Sequence, residues 1–237
     1  MDKVYTALQN EAAKYNIELS NEMLEKLSMY RDFLSEYNQN VNLTAITEPE
    51  EVAIKHFLDS LLLLNAMENR EIKELCDVGS GAGFPGVPCK IGSPSLSLTI
   101  IEPLLKRCLF LEQLSERIGE KYKVLHLRGE DAGKDVKLRE SFGLVSARAV
   151  KNLRELCELC LPLVKVGGYF APLKSGQYEE ELSDAKNAIK LLGGKVKEVK
   201  TYTLPGDMER SIILIEKVSP TPAKYPRIYS KISKSPL

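Results

Sequence analysis

The sequence predicts an α/β fold in which a seven-stranded, mostly parallel sheet carries helices on both faces and follows an N-terminal helical extension. From Glu74 onward, short apolar runs alternate with stretches of helical periodicity, as in parallel sheets. Before Glu74, apolar residues recur only at helical spacing. The 237 residues suit one domain with appendages. We divide them into a helical extension (1–66), a core (67–219) and a basic tail (220–237).

The extension is predicted to contain three helices. The first is indicated by an apolar face of four residues: Tyr5, Leu8, Ala12 and Tyr15. The second begins at Ser20 or Asn21, both of which are favourable N-caps. Residues 38–44 are rich in asparagine, which favours turns, and Pro49 starts the third helix.

The core is predicted to contain seven strands, near 74–78, 96–101, 122–127, 143–147, 167–173, 196–203 and 211–217. Helical patterns between them include 103–117, 151–163 and 178–192. The last two strands are separated by a turn too short for a parallel crossover, so we expect an antiparallel pair at one edge. Ligands bind such sheets at the carboxyl ends of the strands.

The most informative segment follows the first of these strands and reads Asp77-Val78-Gly79-Ser80-Gly81-Ala82-Gly83-Phe84-Pro85-Gly86. A glycine-rich turn between a strand and a helix brings bare backbone close to a ligand. Gly81, Gly83 and Gly86 fit the G-x-G-x-x-G of a dinucleotide site, which holds a pyrophosphate at the helix N-terminus. The carboxylate of Asp77 would repel a pyrophosphate, but it suits the charge and the amine of S-adenosylmethionine. Asp-x-Gly-x-Gly-x-Gly after a strand is typical of class I methyltransferases.

Glu102 ends the next predicted strand, where a carboxylate can accept both ribose hydroxyls of an adenosine. NAD sites use an acid in the same place, so Glu102 indicates adenosine without choosing between the two cofactors. Asp77 decides for S-adenosylmethionine. The alternative is a tight turn beside a surface acid. The cofactor candidates from the residues alone are Asp77, Gly79, Gly81, Gly83 and Glu102.

Composition limits the classes of protein and site. Hydrophobic residues make up 43% and charged residues 28%, with a net charge of zero, as in ordinary soluble proteins. No apolar run approaches the roughly 20 residues that span a bilayer, and the first residues lack signal-peptide features, so we expect a cytoplasmic protein that binds no membrane. Cys157 and Cys160 form a C-x-x-C, but their spacing on an apolar helix favours core packing. With only two histidines we expect no metal site.

The C-terminal tail has an unbalanced charge. No acidic residue follows Glu216. The basic residues beyond it are Lys217, Lys224, Arg227, Lys231 and Lys234. Such a tail can contact phosphates of a nucleic acid. The alternative is a packing strap that closes the sheet edge through Tyr225, Pro226 and Ile228, and both interpretations stay open.

Separate segments resemble one family, the bacterial RsmG (GidB) proteins, over nearly the whole chain. These segments are Asn42-Leu43-Thr44-Ala45-Ile46, His56-Phe57-Leu58-Asp59-Ser60-Leu61, Asp77 through Pro88, Arg128-Gly129-Glu130, Ser146-Ala147-Arg148-Ala149-Val150, Lys224-Tyr225-Pro226-Arg227 and Pro236-Leu237. Gly-Phe-Pro-Gly in the glycine loop is the most specific of them. The resemblance implies the class I methyltransferase fold and transfer of methyl from S-adenosylmethionine to N7 of a guanine in the decoding-region loop of 16S rRNA.

The same resemblance implies a set of site residues and a partner. The implied cofactor contacts are Gly79, Phe84, Gly129, Glu130 and Arg148. The family usually has alanine where this chain has Gly129, so we expect only a backbone contact there. The implied partner is 16S rRNA, as free RNA, in the 30S subunit or in its assembly intermediate, and we expect the enzyme to be a monomer.

Methylation at N7 makes few catalytic demands, because N7 carries a lone pair and no proton. No general base is required, and the enzyme must mainly position the guanine. Arg148, His56 and Asp59 are candidates for positioning. His56 and Asp59 share a helical face and either cover the cleft or tie the extension to the sheet. The RNA-binding candidates are Arg148, Lys174, Lys224, Arg227, Lys231 and Lys234.

Two other functions remain open at this stage. One is a class I methyltransferase that acts on a small molecule or a protein. The other is an NAD-binding oxidoreductase or a non-catalytic nucleotide-binding module. The absence of an Asn/Asp-Pro-Pro-Tyr/Phe run argues against methylation of an exocyclic amine.

Overall fold

A seven-stranded sheet forms the centre of the computed structural model, which describes residues 3–148 and 151–237. Its strands are β1 (Glu74–Val78), β2 (Ser97–Ile101), β3 (Lys123–Leu125), β4 (Phe142–Ala147), β5 (Val164–Ser175), β6 (Gly194–Leu204) and β7 (Met208–Lys217). They lie in the order β3-β2-β1-β4-β5-β7-β6. This sheet confirms the predicted fold class and all seven predicted strands.

The final hairpin confirms the antiparallel pair predicted at one edge of the sheet. β7 runs antiparallel to both of its neighbours, β5 and β6. The antiparallel strand therefore lies one place inside the sheet, and β6 forms the edge. The turn between them is short because Gly206 and Asp207 both have positive φ, +82° and +56°.

Helices cover both faces of the sheet. In chain order they are α1 (Lys3–Ala13), α2 (Asn21–Asn38), α3 (Pro49–Glu51), a π-helical segment (Val52–Leu58), α4 (Asp59–Ala66), α5 (Gly86–Gly92), α6 (Leu105–Ile118), α7 (Gly129–Ala132), α8 (Leu153–Cys160), a 3₁₀ turn (Leu161–Leu163), α9 (Glu179–Leu191) and α10 (Tyr229–Lys234). Ser20 is the N-cap of α2, and its side chain accepts a 3.2 Å hydrogen bond from the Met23 N–H. Pro49 starts α3, as predicted.

The helical extension shares a hydrophobic core with one face of the sheet. Leu27 and Tyr30 of α2 and Leu61 of α4 are fully buried in the same cluster as Leu98 of β2. Phe33 stacks on Phe110 of α6 with ring centroids 5.3 Å apart. Each buried leucine contributes about 1.5–3 kcal/mol. The extension is therefore packed on the sheet along its length.

The opposite face of the sheet carries α8 and α9. Cys157 and Cys160 are buried there among apolar side chains, which confirms that the C-x-x-C belongs to the core. The cysteines of the described residues are all free thiols. Within 3–148 and 151–237 no cluster of three potential metal ligands occurs. None of the helices described there is long and apolar enough to cross a membrane.

The tail packs on α7 and α8 as a strap. Arg227 donates from its Nε and Nη2 to the carboxylate of Glu158, at 2.8 and 2.6 Å, and Glu158 is fully buried. A buried carboxylate thus engages Nε and Nη2 of Arg227, which leaves less of the guanidinium for the predicted contact with RNA. Lys217 is also fully buried, with its Nζ 2.7 Å from the Leu161 carbonyl oxygen.

The strap also differs from the packing that we predicted for it. Ile228 is 55% exposed, whereas Ile232 is the buried isoleucine of the tail. Pro226 packs against α7, where a Cβ added at Gly133 would lie 2.9 Å from it. The tail thus covers helices rather than the sheet edge. The three remaining basic side chains, Lys224, Lys231 and Lys234, are exposed.

Candidate active site

The glycine-rich loop after β1 contains two kinds of glycine. Gly79 and Gly81 have φ of +71° and +63°, and a Cβ at either position would meet little: no atom within 4 Å at Gly79, and only Arg107 Nη1 at 3.9 Å for Gly81. Gly83 is different, since its Cβ would lie 2.5 Å from the Tyr30 hydroxyl. Gly79 and Gly81 therefore present open backbone to the cleft, where a ligand can approach, whereas Gly83 is needed for packing.

The carboxylate of Asp77 closes the base of this loop. Its Oδ2 accepts from Ser80 Oγ at 2.5 Å and from the N–H of Gly86, the first residue of α5, at 2.8 Å. A pyrophosphate would need this same helix N-terminus, so the geometry disfavours a dinucleotide. Oδ1 has no donor among the described residues. Burial raises the pKa of Asp77 to about 6, and the hydrogen bonds from Ser80 and Gly86 oppose that rise.

Glu102 also serves the loop. Its Oε2 accepts from the Gly81 N–H at 2.9 Å and its Oε1 from the Leu104 N–H at 3.0 Å. The side chain is fully buried and does not line the cleft. The carboxylate therefore fixes the backbone of Gly81, and the ribose contact of Glu102 stays a prediction.

An open cleft of about 690 Å³ lies over the loop at the carboxyl ends of β1, β4 and β5. This volume suits a nucleotide-sized ligand. Five cationic side chains line it, against two carboxylates, Asp59 and Glu181. The cations are Lys55, Arg107, Arg148, Lys174 and Arg210. Each of these cations also pairs with a carboxylate, Lys55 with Glu51 and Arg107 with Glu102 outside the lining, so the excess of positive charge at the cleft is partly neutralised.

Arg148 lies at the end of β4 and joins the extension to the cleft. Its Nη1 donates to Asp59 Oδ2 at 2.9 Å and to the Lys55 carbonyl oxygen at 3.1 Å. Its Nη2 lies 2.9 Å from His56 Nδ1. Asp59 also pairs with Arg210 of β7, with Oδ1 3.3 Å from Nε. His56 and Asp59 therefore both line the cleft and tie the extension to the sheet, which combines the two alternatives left open above.

The π-helical segment places these two side chains. The N–H of Asp59 donates to the Ile54 carbonyl five residues earlier, which widens the helix locally. This local geometry presents His56 and Asp59 to the same guanidinium. Sequence periodicity alone gave them a common face but not this partner.

Phe84 is held between the extension and Arg148. Its ring stacks on Tyr30, with centroids 5.3 Å apart and planes at 13°, and on His56 at 4.4 Å and 23°. The Arg148 guanidinium carbon lies 4.7 Å from its centroid. The Tyr30 hydroxyl donates to the Ala82 carbonyl. The extension therefore orders the glycine loop from one side.

The other predicted site residues lie around this centre. Gly129 and Glu130 begin α7, after β3, and a Cβ added at Gly129 would lie 3.3 Å from the side chain of Val78 at the end of β1. Lys174 lines the cleft, but its side chain is 7% exposed and its Nζ lies 2.6 Å from Glu181 Oε2. Ala149 and Val150, which belong to one of the family segments, fall outside the described residues.

Sequence reasoning missed three of the cleft cations. Lys55, Arg107 and Arg210 were not proposed as site residues, although Arg210 directly precedes a predicted strand. Lys55 could have been predicted as a site residue, because it directly precedes His56 in the sequence. No pattern in the sequence indicated Arg107. It lies in the first turn of α6, where the helix begins with exposed residues.

Burial controls the protonation of His56. Desolvation, assisted by the Arg148 charge, lowers the pKa of His56 to about 3. Between about pH 3 and the ordinary pKa near 6.5, His56 is protonated in the unfolded chain and neutral in the folded chain. The contribution of His56 to the free energy of unfolding is therefore complete above pH 6.5 and is lost as the pH falls towards 3.

We predict that His56→Asn removes this pH dependence. The difference in unfolding free energy between wild type and variant should shrink by about 1.4 kcal/mol per pH unit as pH falls from 6 to 4. Urea unfolding of both proteins at several pH values measures it. A difference that stays constant over this range would mean that His56 titrates normally in the folded protein.

Comparison with known proteins agrees with the site geometry. Residues 23–213 match the profile of the family described as GidB: rRNA small subunit methyltransferase G. The Ribosomal RNA small subunit methyltransferase G of Lactobacillus johnsonii is 48% identical over 231 residues, covering 96% of this chain and 97% of the relative. That of Bacillus subtilis is 44% identical over 227 residues and covers 95% of each chain.

Solved structures share the fold at low sequence identity. A ribosomal-protein methylase from Lactobacillus delbrueckii has a TM-score of 0.51 at 14% identity and covers 70% of this chain and 79% of its own. M. jannaschii TYW2, in complex with AdoMet, has a TM-score of 0.50 at 14% identity, with 68% and 77% covered. The shared architecture is the class I methyltransferase fold.

Proposed function

Because the chain belongs to the rRNA small subunit methyltransferase G family, we propose that it transfers methyl from S-adenosylmethionine to N7 of a guanine in 16S rRNA. The observation that carries the proposal is the cleft, which combines open glycine backbone with five cations against two carboxylates. Open backbone suits the cofactor, and the excess of positive charge suits an RNA phosphate backbone. A small neutral substrate does not explain the excess of cations, and a dinucleotide would need the helix N-terminus that Asp77 occupies.

The cofactor residues in this proposal are those that face open space or leave an atom unpaired. Gly79 and Gly81 present backbone to the cleft, and Asp77 Oδ1 is an acceptor for the cofactor amine. Gly129 and Glu130 at the start of α7 are assigned to the adenine through their backbone. Glu102 acts through Gly81, whose N–H it fixes. When bound, S-adenosylmethionine supplies an electrophilic sulfonium methyl group.

The remaining side chains position the substrate. N7 needs no base, and His56 is not available as one, because Nδ1 faces the Arg148 guanidinium and Nε2 lies 2.9 Å from Thr44 Oγ1. The guanidinium of Arg148 is fixed on Phe84 by His56 and Asp59. Catalysis thus rests on holding a guanine outside its stack, in line with the methyl group.

Purified protein, radiolabelled S-adenosylmethionine and RNA test the proposal. Naked 16S rRNA, 30S subunits and a 30S assembly intermediate are separate substrates, with 23S rRNA as the control. Reduction and aniline cleavage then locate N7-methylguanosine. We expect one methylated guanine in 16S rRNA in at least one of the three forms. Methyl transfer to another atom, or only to a protein or a small molecule, contradicts it.

The finer details of partner and location are part of the same proposal. We take the enzyme to act as a monomer in the cytoplasm, where ribosomal subunits are assembled. The division into an extension, a core and a tail is retained, with the extension supplying Tyr30, Thr44 and His56 to the site.

The exposed lysines of the tail are proposed to bind RNA. Replacing Lys224, Lys231 and Lys234 with glutamine should weaken RNA binding and reduce the log–log salt slope by about 0.7–0.9 for each phosphate that the tail no longer neutralises. The affinity for S-adenosylmethionine should not change. Filter binding at several salt concentrations measures the slope.

A matched control replaces three exposed lysines on α9 and at the start of β6: Lys186, Lys190 and Lys195. This control variant carries the same net charge as the tail variant. An equal effect of both variants would indicate only general electrostatics. An unchanged slope in the tail variant would leave the strap purely structural.

A further inference from the structure

The side chain of Thr44 ends the chain of polar contacts that begins at Asp59. The Arg148 guanidinium has only donors, so His56 Nδ1 must accept from it. The neutral ring then carries its proton on Nε2, which donates to Thr44 Oγ1 at 2.9 Å. Asp59 and Arg148 thereby fix the direction of the hydrogen bond that reaches Thr44.

Thr44 accepts a second hydrogen bond from the backbone. The Ile46 N–H donates to Oγ1 at 3.0 Å. A hydroxyl has two lone pairs, and both are now engaged. Its own O–H donates to no acceptor among the residues that the structure describes. Because the half-buried Thr44 lines the cleft, it offers a ligand there one donor and no acceptor.

The base edge that carries the reacting atom fits such a donor. On this edge guanine presents two acceptors, N7 and O6, whereas adenine presents N7 and an amino donor. N7 must keep its lone pair free to attack the methyl group, so O6 is the acceptor that remains. A hydroxyl with both lone pairs engaged cannot accept from the adenine amino group.

We propose that the Thr44 hydroxyl donates to O6 of the target guanine and thereby selects guanine over adenine. This inference rests on the proposed function. It assigns Thr44 to substrate recognition, while His56 and Asp59 act through it and through Arg148 as positioning residues. Leu43, the buried neighbour of Thr44, lines the same part of the cleft.

Two variants and two RNAs test the assignment. Thr44→Val removes the hydroxyl at nearly constant shape, and Thr44→Ser restores it. The RNAs are 16S rRNA with guanine, or with 2-aminopurine, which keeps N7 and lacks O6, ligated at the target position. We expect Thr44→Val to lower kcat/KM on guanine RNA by about tenfold or more, as for the removal of a hydrogen bond of ~1.4 kcal/mol. Thr44→Ser should return it to within about threefold of wild type.

The 2-aminopurine RNA shows whether Thr44 recognises O6 of the guanine or only supports His56. Wild type and Thr44→Val should methylate the 2-aminopurine RNA at equal rates. The two proteins should also bind S-adenosylhomocysteine with equal affinity, as measured by calorimetry. Equal losses on both RNAs, or a weakened S-adenosylhomocysteine complex, would overturn the assignment, because both indicate that Thr44 only supports His56. A wild-type protein inactive on guanine RNA would instead overturn the proposed function and this inference with it.

Discussion

A valine at Gly81 should abolish cofactor binding. The residue has φ of +63°, and the space above it is open to the cleft, so a branched side chain there both strains the turn and fills the volume that the cofactor needs. We expect the affinity for S-adenosylhomocysteine to fall by about 100-fold or more, equivalent to ~2.7 kcal/mol. Isothermal titration calorimetry of the folded variant measures it.

Gly119 provides a matched control for this substitution. It has φ of +68°, no atom within 4 Å of its Cβ position, and lies at the C-cap of α6. Gly119→Val carries the same backbone strain without approaching the cleft, so it should lower stability and keep cofactor affinity. NAD serves as the ligand control and should bind to neither protein. Tight binding of S-adenosylhomocysteine by Gly81→Val would refute the assignment of the loop.

Replacing Arg227 with alanine should cause a larger loss of stability than any other substitution that we propose. Glu158 is fully buried, and Arg227 supplies two side-chain donors to it. An unpaired buried carboxylate costs about 3–5 kcal/mol, and we expect about 3 kcal/mol because the Arg227 side chain is 23% exposed. The free energy of unfolding of Arg227→Ala in urea measures the loss.

Two further variants test whether the unpaired charge of Glu158 causes the loss of stability in Arg227→Ala. Lys224→Ala removes an exposed cation from the same tail and should change stability by less than about 0.5 kcal/mol. Adding Glu158→Gln to Arg227→Ala removes the stranded charge and should recover part of the loss. If Arg227→Ala is as stable as Lys224→Ala, the strap is not anchored by this ion pair.

The sheet was predictable because its signals are local. Each strand is an apolar run bounded by turn residues, and the short link after β6 allowed only antiparallel pairing. The position of β7 inside the sheet was not predictable, since nothing local distinguishes β5-β7-β6 from an edge position. The family segments also indicated where the site lies. His56 contacts Thr44, Phe84 and Arg148, which come from three other segments that are distant in the sequence.

The partners of Glu102 and Arg227 were not predictable, because no local pattern shows them. Glu102 lies where a ribose acceptor is expected, and its two oxygens also accept hydrogen bonds from the N–H groups of Gly81 and Leu104. Arg227 looked like a free tail cation because Glu158 lies 69 residues away. In both cases the charge and the position in the chain follow from the sequence, whereas the hydrogen-bond partners follow only from the fold.

The most direct test of the central claim is to map N7-methylguanosine in 16S rRNA at single-nucleotide resolution in three strains. One lacks this protein, one is complemented with the wild type, and one is complemented with Gly81→Val. We predict that one N7-methylguanosine disappears in the deletion strain, returns with the wild type and stays absent with Gly81→Val. An unchanged pattern of N7-methylguanosine in the deletion strain would contradict the claim.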